Sequence, residues 1–349
     1  MASVDIAIPC YQYGRFLEPC VASVLSQGVA ELRILIIDNA STDDTAAVAR
    51  RLQAMDPRVH LRSHAVNLGP HASFNAGVDW ARADYFMILC ADDLLAPGAL
   101  RRAIAVLEAH PGIGFAYGAD LQFRAAETLP PAASPAAAES WRLMSGAAFV
   151  DSRCRAPDAY IAAGMVLVRT AIQRRAGHYR PELPYTDDLE MLLRLASLAG
   201  AAETTAVQGY RRLHGANMSE KFLGSRAEDM AHRLAAFDSF FAREGRTMPA
   251  APALRRRAHR MLAARAYWWA VQDVLGGRVG DAAVLLRHAA RLQPSLLLWP
   301  PLLYLLRGNG RLARGASAML RACAGPLRRT GAPRGGGPAP GGAPGASSW

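Results

Sequence analysis

Two adjacent carboxylates close an apolar run in Phe86-Met87-Ile88-Leu89-Cys90-Ala91-Asp92-Asp93-Leu94-Leu95. The run has strand character, and helix-favouring residues follow, with Pro97 placed to open the helix. Two acids at the carboxyl end of a buried strand cost desolvation energy that idle packing does not return. In an open α/β sheet that edge is where ligands bind. Paired hard oxygens there suit a divalent cation that itself holds phosphates. The plainer alternative is an acid pair that caps the helix after Pro97.

Such acids need a sheet to hold them, and the pattern supplies one. Val4–Pro9 reads as a strand and Leu17–Ser26 as a helix. Leu32–Ile37 is an apolar strand that stops at Asp38, and Ser41-Thr42-Asp43-Asp44 reads as a helix N-cap with an acid three residues on. A strand at Val59–Arg62, a helix at Ala72–Ala81, a strand at Tyr85–Cys90, a helix at Pro97–Ala109 and a strand at Ile113–Tyr117 continue the alternation. Repeated strand–helix units predict a mostly parallel sheet covered on both faces. Residues 120–158, with Pro130, Pro131 and Pro135, break the pattern and read as an irregular insertion. Gly164–Val168 resumes as a strand, Asp188–Ala199 as a helix and Ala206–Leu213 as a last strand.

From Arg226 on, the signal is helical. Ala263–Pro294, with Ala266, Tyr267, a Gly276-Gly277 turn, Ala282, Leu286 and Ala289, resembles a single tetratricopeptide-type hairpin. One such unit forms no solenoid, so a helical pair packed on the main domain is expected. Leu296–Leu306 is apolar, broken by Pro300-Pro301 and too short to span a bilayer. Residues 331–349, rich in Gly, Pro and Ala, are expected to be disordered. The expected division is 1–225, 226–330 and 331–349.

The chain carries a net charge of +11, and its excess is local: residues 226–349 hold 19 arginines against 6 acids, while residues 1–225 are near balance. Such a surface suits nucleic acid or an anionic membrane, or it is a composition bias of solvated helix faces. The five cysteines at 10, 20, 90, 154 and 323 show no metal-ligand spacing, so reduced thiols are expected. Met1 leads straight into a strand, with no basic n-region or cleavage site. The expected location is therefore cytoplasmic, with the inner face of the membrane as the peripheral site if the basic tail binds lipid.

Five motifs in order resemble the inverting family 2 glycosyltransferases of GT-A fold, bacterial type. They are Ile8-Pro9-Cys10-Tyr11-Gln12, Ile36-Ile37-Asp38-Asn39-Ala40-Ser41, Asn67-Leu68-Gly69-Pro70 leading to Phe74-Asn75, Cys90-Ala91-Asp92-Asp93, and Thr186-Asp187-Asp188 followed by Tyr210-Arg211-Arg212-Leu213-His214. The resemblance covers about residues 3–222. It implies a Rossmann-like GT-A domain with an all-α C-terminal extension, and a donor that is a nucleoside diphosphate sugar. By resemblance, Pro9 and Tyr11 line the base and ribose, and Asp38 accepts a hydrogen bond from a pyrimidine ring. Asn67, Gly69, Asn75, Asp92 and Arg211 join the donor site. Asp92, Asp93 and His214 face Mg²⁺ or Mn²⁺, and Asp188 is the general base. The implied acceptor is a saccharide or lipid-linked hydroxyl in cell-surface polysaccharide or glycolipid synthesis; an anionic membrane is a further partner and nucleic acid is not expected. The chain departs from the family pattern at Phe74, Cys90 and Asp187.

Two rivals are set against this reading. A nucleotidyltransferase needs a glycine-rich basic loop, and the first 30 residues contain only Gly14 and Gly28. A non-catalytic scaffold, with a degenerate transferase domain and a basic helical tail that binds membrane or protein, is the alternative that the three departures support.

Overall fold

The structure, a computed structural model, describes residues 2–124, 140–215, 217, 225–302 and 304. Expectations for residues 125–139 of the insertion, for most of the apolar segment beyond Pro300, and for 331–349 lie outside the described residues.

The amino-terminal half alternates β1 (Ser3–Cys10), α1 (Gly14–Leu25), β2 (Glu31–Asp38), α2 (Thr45–Met55), β3 (Val59–Ser63), α3 (Pro70–Trp80), β4 (Tyr85–Ile88), β5 (Leu94–Leu95) and α4 (Ala99–Ala109). Then follow β6 (Ile113–Arg124), β7 (Trp141–Met144), α5 (Gly146–Arg155), β8 (Leu167–Arg169), α6 (Thr170–Ala176), α7 (Asp187–Leu198) and β9 (Gly200–Leu213). Three α-helices follow: α8 (Arg226–Ala242), α9 (Ala251–Leu275) and α10 (Val279–Leu292).

The strands form one sheet in the order β3-β2-β1-β4-β8-β6-β9-β5, with β7 paired to β9. The β1–β2, β1–β4, β2–β3 and β6–β9 pairs are parallel, and β8, β5 and β7 pair antiparallel. The sheet is thus mostly parallel, as the strand–helix alternation predicts. Side-chain alternation splits it into two faces. Ile6, Ile8, Ile34, Ile36, Tyr85 and Met87 pack with α1, α2 and α4. Ala7, Leu35, Ile37, Phe86 and Ile88 pack on α3 from the other side. Strands buried on both faces read as unbroken apolar runs, which is why β1, β2 and β4 are legible in sequence. At Gly77 of α3, an added Cβ would lie 2.5 Å from the Ala7 Cβ, so only glycine lets this helix approach β1 so closely.

On the α3 side the core continues under the later helices. Phe149 of α5, Leu193 of α7, Phe237 and Phe240 of α8, Leu262 of α9 and Leu285 of α10 share one buried cluster with Phe115 of β6. Each such side chain contributes about 1.5–3 kcal/mol on burial. Residues 1–300 accordingly make one compact unit. Among the described residues no helix is long and apolar enough to cross a membrane.

Several expectations shift. The stretch read as irregular from 120 holds the end of β6, then β7 and α5, because Phe123 and Phe149 are core residues. Residues 163–165 form a 3-10 turn, so the strand expected at Gly164 starts at Leu167. Ser41 and Thr42 do not cap α2; their hydroxyls accept bonds from Gln12, and α2 starts at Thr45. Helix α4 starts at Ala99, beyond β5, so Asp92 and Asp93 do not cap it.

Candidate functional site

The carboxyl ends of the parallel strands β1, β2 and β4 lie along one sheet edge, and the loops that follow them gather there. The β1 loop turns at Gln12, whose φ of 61° is left-handed. Gln12 N donates to Ser41 Oγ at 3.0 Å, Gln12 Nε2 to Thr42 Oγ1 at 2.7 Å, and Tyr13 N to Thr45 Oγ1 at 3.1 Å. Asp43 accepts from Thr45 N at 3.0 Å and from Gly14 N at 3.3 Å. The two loops are therefore one fastened unit, which holds Pro9 and Tyr11 beside Asp38. Tyr11 is 44 % exposed, while Asp38 is buried and accepts from Ser41 N at 3.0 Å.

A third loop joins through Asn39. Its Nδ2 donates to Asn67 Oδ1 at 2.9 Å and to the Gly69 carbonyl at 3.2 Å, and its Oδ1 accepts from Leu68 N at 3.0 Å. Asn67 and Gly69 thus shape a turn tied to the end of β2, and Gly69, at φ 81°, takes the conformation that leads into Pro70 and α3. Asn75 is bonded elsewhere. Its Nδ2 donates to the Tyr179 carbonyl at 3.0 Å and its Oδ1 accepts from Tyr179 N at 2.7 Å, so this amide anchors the segment before α7.

Asp92 and Asp93 are both buried. The distant strand β9 closes over them. Leu94 pairs with Tyr210, Arg212 N donates to Asp93 Oδ1 at 3.0 Å, and Arg212 Nε donates to the Asp92 carbonyl at 3.1 Å. The Arg212 guanidinium lies between the Phe16 ring, 4.8 Å away, and the Phe123 ring, 4.5 Å away. Beyond β9, His214 Nε2 and Asn217 Nδ2 each lie 3.1 Å from Asp92 Oδ2. Burial raises the Asp92 carboxyl above its ordinary range, opposed by His214 and Arg212. Burial, together with the Asp92 charge, raises Asp93 to about 8. Two carboxylates this close in a dry loop resist joint ionisation. A divalent cation would relieve that cost, and their hard oxygens fit Mg²⁺ or Mn²⁺. The Cys90 Sγ lies with these oxygens inside a 4.8 Å cluster, but burial and Asp93 keep its thiol protonated, and a neutral soft donor suits neither ion.

Asp187 and Asp188 open α7. His71 Nε2 lies 3.2 Å from Asp187 Oδ2. Asp188 Oδ1 accepts from Leu189 N at 2.6 Å. Loss of water and the neighbouring Asp187 charge raise Asp188 to about 7, against the pull of Arg233 on α8. The Asp188 charge in turn helps to raise Cys90, Tyr160 and Tyr179, so its carboxylate lies in the neighbourhood of all three. Burial raises the hydroxyl of the Tyr160 ring, opposed by Arg211, although the residue as a whole is 55 % exposed. Arg211 covers this ring at 4.6 Å and donates through Nε to Asp120 Oδ2 at 3.0 Å.

The structure thus gathers Asp92, Asp93, His214 and Arg211 with Asp188 at one end of the sheet. It ties Asn67 and Gly69 to Asn39, and Asn75 to Tyr179. Sequence reasoning gave no role to Asn39, Asp120, Tyr160, Arg212, Asn217 or Arg233. The Arg211-Arg212 pair on a strand was the available signal, because period-two alternation sends two adjacent arginines to opposite faces.

Comparison with known proteins finds relatives in sequence and in fold. Residues 5–144 match the family described as Glycosyl transferase family 2. A β-1,3-glucosyltransferase of Campylobacter jejuni that acts on a GalNAc(5)-diNAcBac-PP-undecaprenol substrate is 29% identical over 119 residues, which cover 34% of this chain and 38% of that protein. The chain spans well under half the length of the curated relatives it matches. The mannosyltransferase PcManGT of Pyrobaculum calidifontis, solved with GDP-Man and Mn²⁺, superposes with a TM-score of 0.56 at 17% identity over 91% of this chain and 81% of that one. S. aureus TarS with UDP-GlcNAc gives 0.53 at 13% identity over 85% and 92%. The fold is therefore GT-A.

Proposed function

Residues 5–144 are a family 2 glycosyltransferase domain, and from that premise we propose that the chain transfers a sugar from a nucleoside diphosphate sugar to an acceptor hydroxyl with inversion. The observation that carries the reading is the Asp92–Asp93 pair at the sheet's ligand edge, raised chiefly by burial and, for Asp93, by the Asp92 charge as well, with a further raised acid in Asp188. The sugar nucleotides bound by the two superposed structures support the donor class. The lipid-linked substrate named for the Campylobacter relative supports an acceptor in polysaccharide or glycolipid synthesis.

In this mechanism the β1 and β2 loops hold the nucleoside between Tyr11 and Asp38. Asp92 and Asp93 would hold Mg²⁺ or Mn²⁺, which neutralises the departing diphosphate when bound. Arg212 on β9 and Asn217 beyond it keep the two carboxylates in place. Arg211, on Asp120, brings positive charge to the leaving-group side, and His214, on Asp92, offers a ring nitrogen there. Asp188, at about 7, is poised to take the proton of the acceptor hydroxyl as that oxygen attacks the anomeric carbon from the face opposite the diphosphate. Tyr160 and the wall beside it line the acceptor side.

The test is a thermal-shift screen of sugar nucleotides with and without Mn²⁺, followed by transfer or hydrolysis assays on whichever donor stabilises. A donor at 100 times its dissociation constant raises stability by about 2.7 kcal/mol. No stabilisation by any sugar nucleotide would transfer the case to the scaffold reading. The arginine excess after residue 226 further supports attraction to an anionic membrane, worth about 1 kcal/mol per arginine at the surface. Co-sedimentation with anionic but not neutral liposomes, lost at high salt, checks it.

A further inference from the structure

The helical extension reaches the turn that leads into the candidate base. Thr186, at the N-cap position of α7, makes no capping bond with its side chain. Its hydroxyl donates instead to the His232 carbonyl of α8 at 2.9 Å. The Tyr185 ring meets the His232 ring edge-on at 4.9 Å between centroids. One residue along α8, Arg233 is held from two sides. Its Nε donates to both Asp229 oxygens at 2.9 Å, and its Nη1 donates to the Pro157 carbonyl at 3.0 Å. Pro157 begins the short segment that carries Tyr160. One guanidinium therefore ties α8 to the acceptor-side wall, beside the first turn of α7.

We propose that Arg233 is a positioning residue of the glycosyl transfer: fixed by Asp229 and Pro157, it sets its charge beside the first turn of α7 and holds Asp188 in place against the segment that bears Tyr160. The proposal rests on the functional reading above. The groups that face Asp188 are Asp187 on its own helix, with His71 of α3 behind it, Tyr179 before α7, Tyr160 and Cys90 on the opposing loops, and Arg233 on α8. Arg233 alone among these is a cation acting on Asp188 itself. An opposite charge nearby lowers a carboxyl pKa, and its removal lets burial and Asp187 act unopposed.

The experiment uses the full chain with ¹³C-labelled aspartate carboxyls, the Asp188 signal being assigned by its loss in Asp188→Asn. In Arg233→Gln the Asp188 titration should move up by roughly half a unit or more, and the acid limb of the kcat–pH profile at saturating donor should move with it. Arg233→Lys, which keeps the charge and loses the fork, should hold the wild-type midpoint. If Arg233→Gln does not fold, Asp229→Asn serves: it leaves the Arg233 charge less neutralised and should move both midpoints down. A fall in kcat with both midpoints unmoved would reduce Arg233 to a structural brace and overturn the proposal. If wild type transfers no sugar, the functional reading fails, while the carboxyl titration still decides whether Arg233 acts on Asp188.

Discussion

The sheet buries acids at both of its edges, and the two edges treat them oppositely. At the amino end of β1, Asp5 is fully buried and fully partnered. Arg33 grips it through Nε at 2.8 Å and Nη2 at 2.6 Å, and the backbone N–H groups of Arg82 and Ala83 donate at 2.6 and 2.9 Å. At the carboxyl end, Asp93 receives one backbone N–H and faces a second carboxylate, and its pKa rises to about 8. A buried charge satisfied by the chain itself is a structural device; one left short of positive charge marks where the chain expects something from outside.

The contrast can be broken by substitution. The largest expected effect is at the front edge and on rate alone. Asp188→Asn should lower kcat by about 10²–10⁴ with donor affinity preserved, as measured under saturating donor. Near wild-type turnover would remove Asp188 from the chemistry, and loss in Asp187→Asn instead would move the base by one residue. At the back edge the effect should be on stability alone. Asp5→Ala leaves the Arg82 and Ala83 N–H groups and the Arg33 guanidinium without their acceptor and should cost about 2–4 kcal/mol in urea unfolding, with donor affinity intact in the folded fraction. Asp93→Asn should do the reverse. It removes a repelled buried charge, so the metal-free protein should melt higher at pH 8, while Mn²⁺-dependent donor binding by calorimetry disappears; a lower melting point would mean that Asp93 is a satisfied structural acid like Asp5.

The smallest effect sharpens the comparison through pH. Asp93 and Asp188 have folded-state pKa values near 8 and 7, above an unfolded value of about 4. Between these limits the folded chain binds more protons than the unfolded one, so stability falls as pH rises. The metal-free protein should therefore gain melting temperature as pH drops from 8 toward 5, and Asp93→Asn should flatten that slope. An unchanged slope would place the proton uptake elsewhere.

Much of the front edge was legible because it is written locally. The runs of β1, β2 and β4 are apolar on both faces, and those of β2 and β4 end at polar loops that carry acids. What was not legible is the company those acids keep. Arg212 and Asn217 are respectively 120 and 125 positions from Asp92, and Arg233 lies on a helix read only as basic. No period in the sequence encodes such pairs. Asn75 shows the opposite limit: its motif position suggested a ligand contact, while its amide is bonded on both sides to Tyr179. Likewise Ser41 and Thr42 look like caps, but a loop that must be held against its neighbour uses the same hydroxyls.

The clamp of β9 over Asp92 and Asp93 also sets a timetable. A ribosome adding about 5–20 residues per second needs roughly 6–24 s to pass from these acids to Arg212. Until then β5 lacks its pairing strand, and the two carboxylates stay hydrated, cheap to ionise and poorly placed to share an ion. The site therefore comes into being with the last strand of the sheet, whatever the earlier strands have already built. In pulse-labelled hydrogen exchange during refolding, the amide of Arg212, bonded to Asp93, should gain protection together with the β9 ladder and not with β1 and β2.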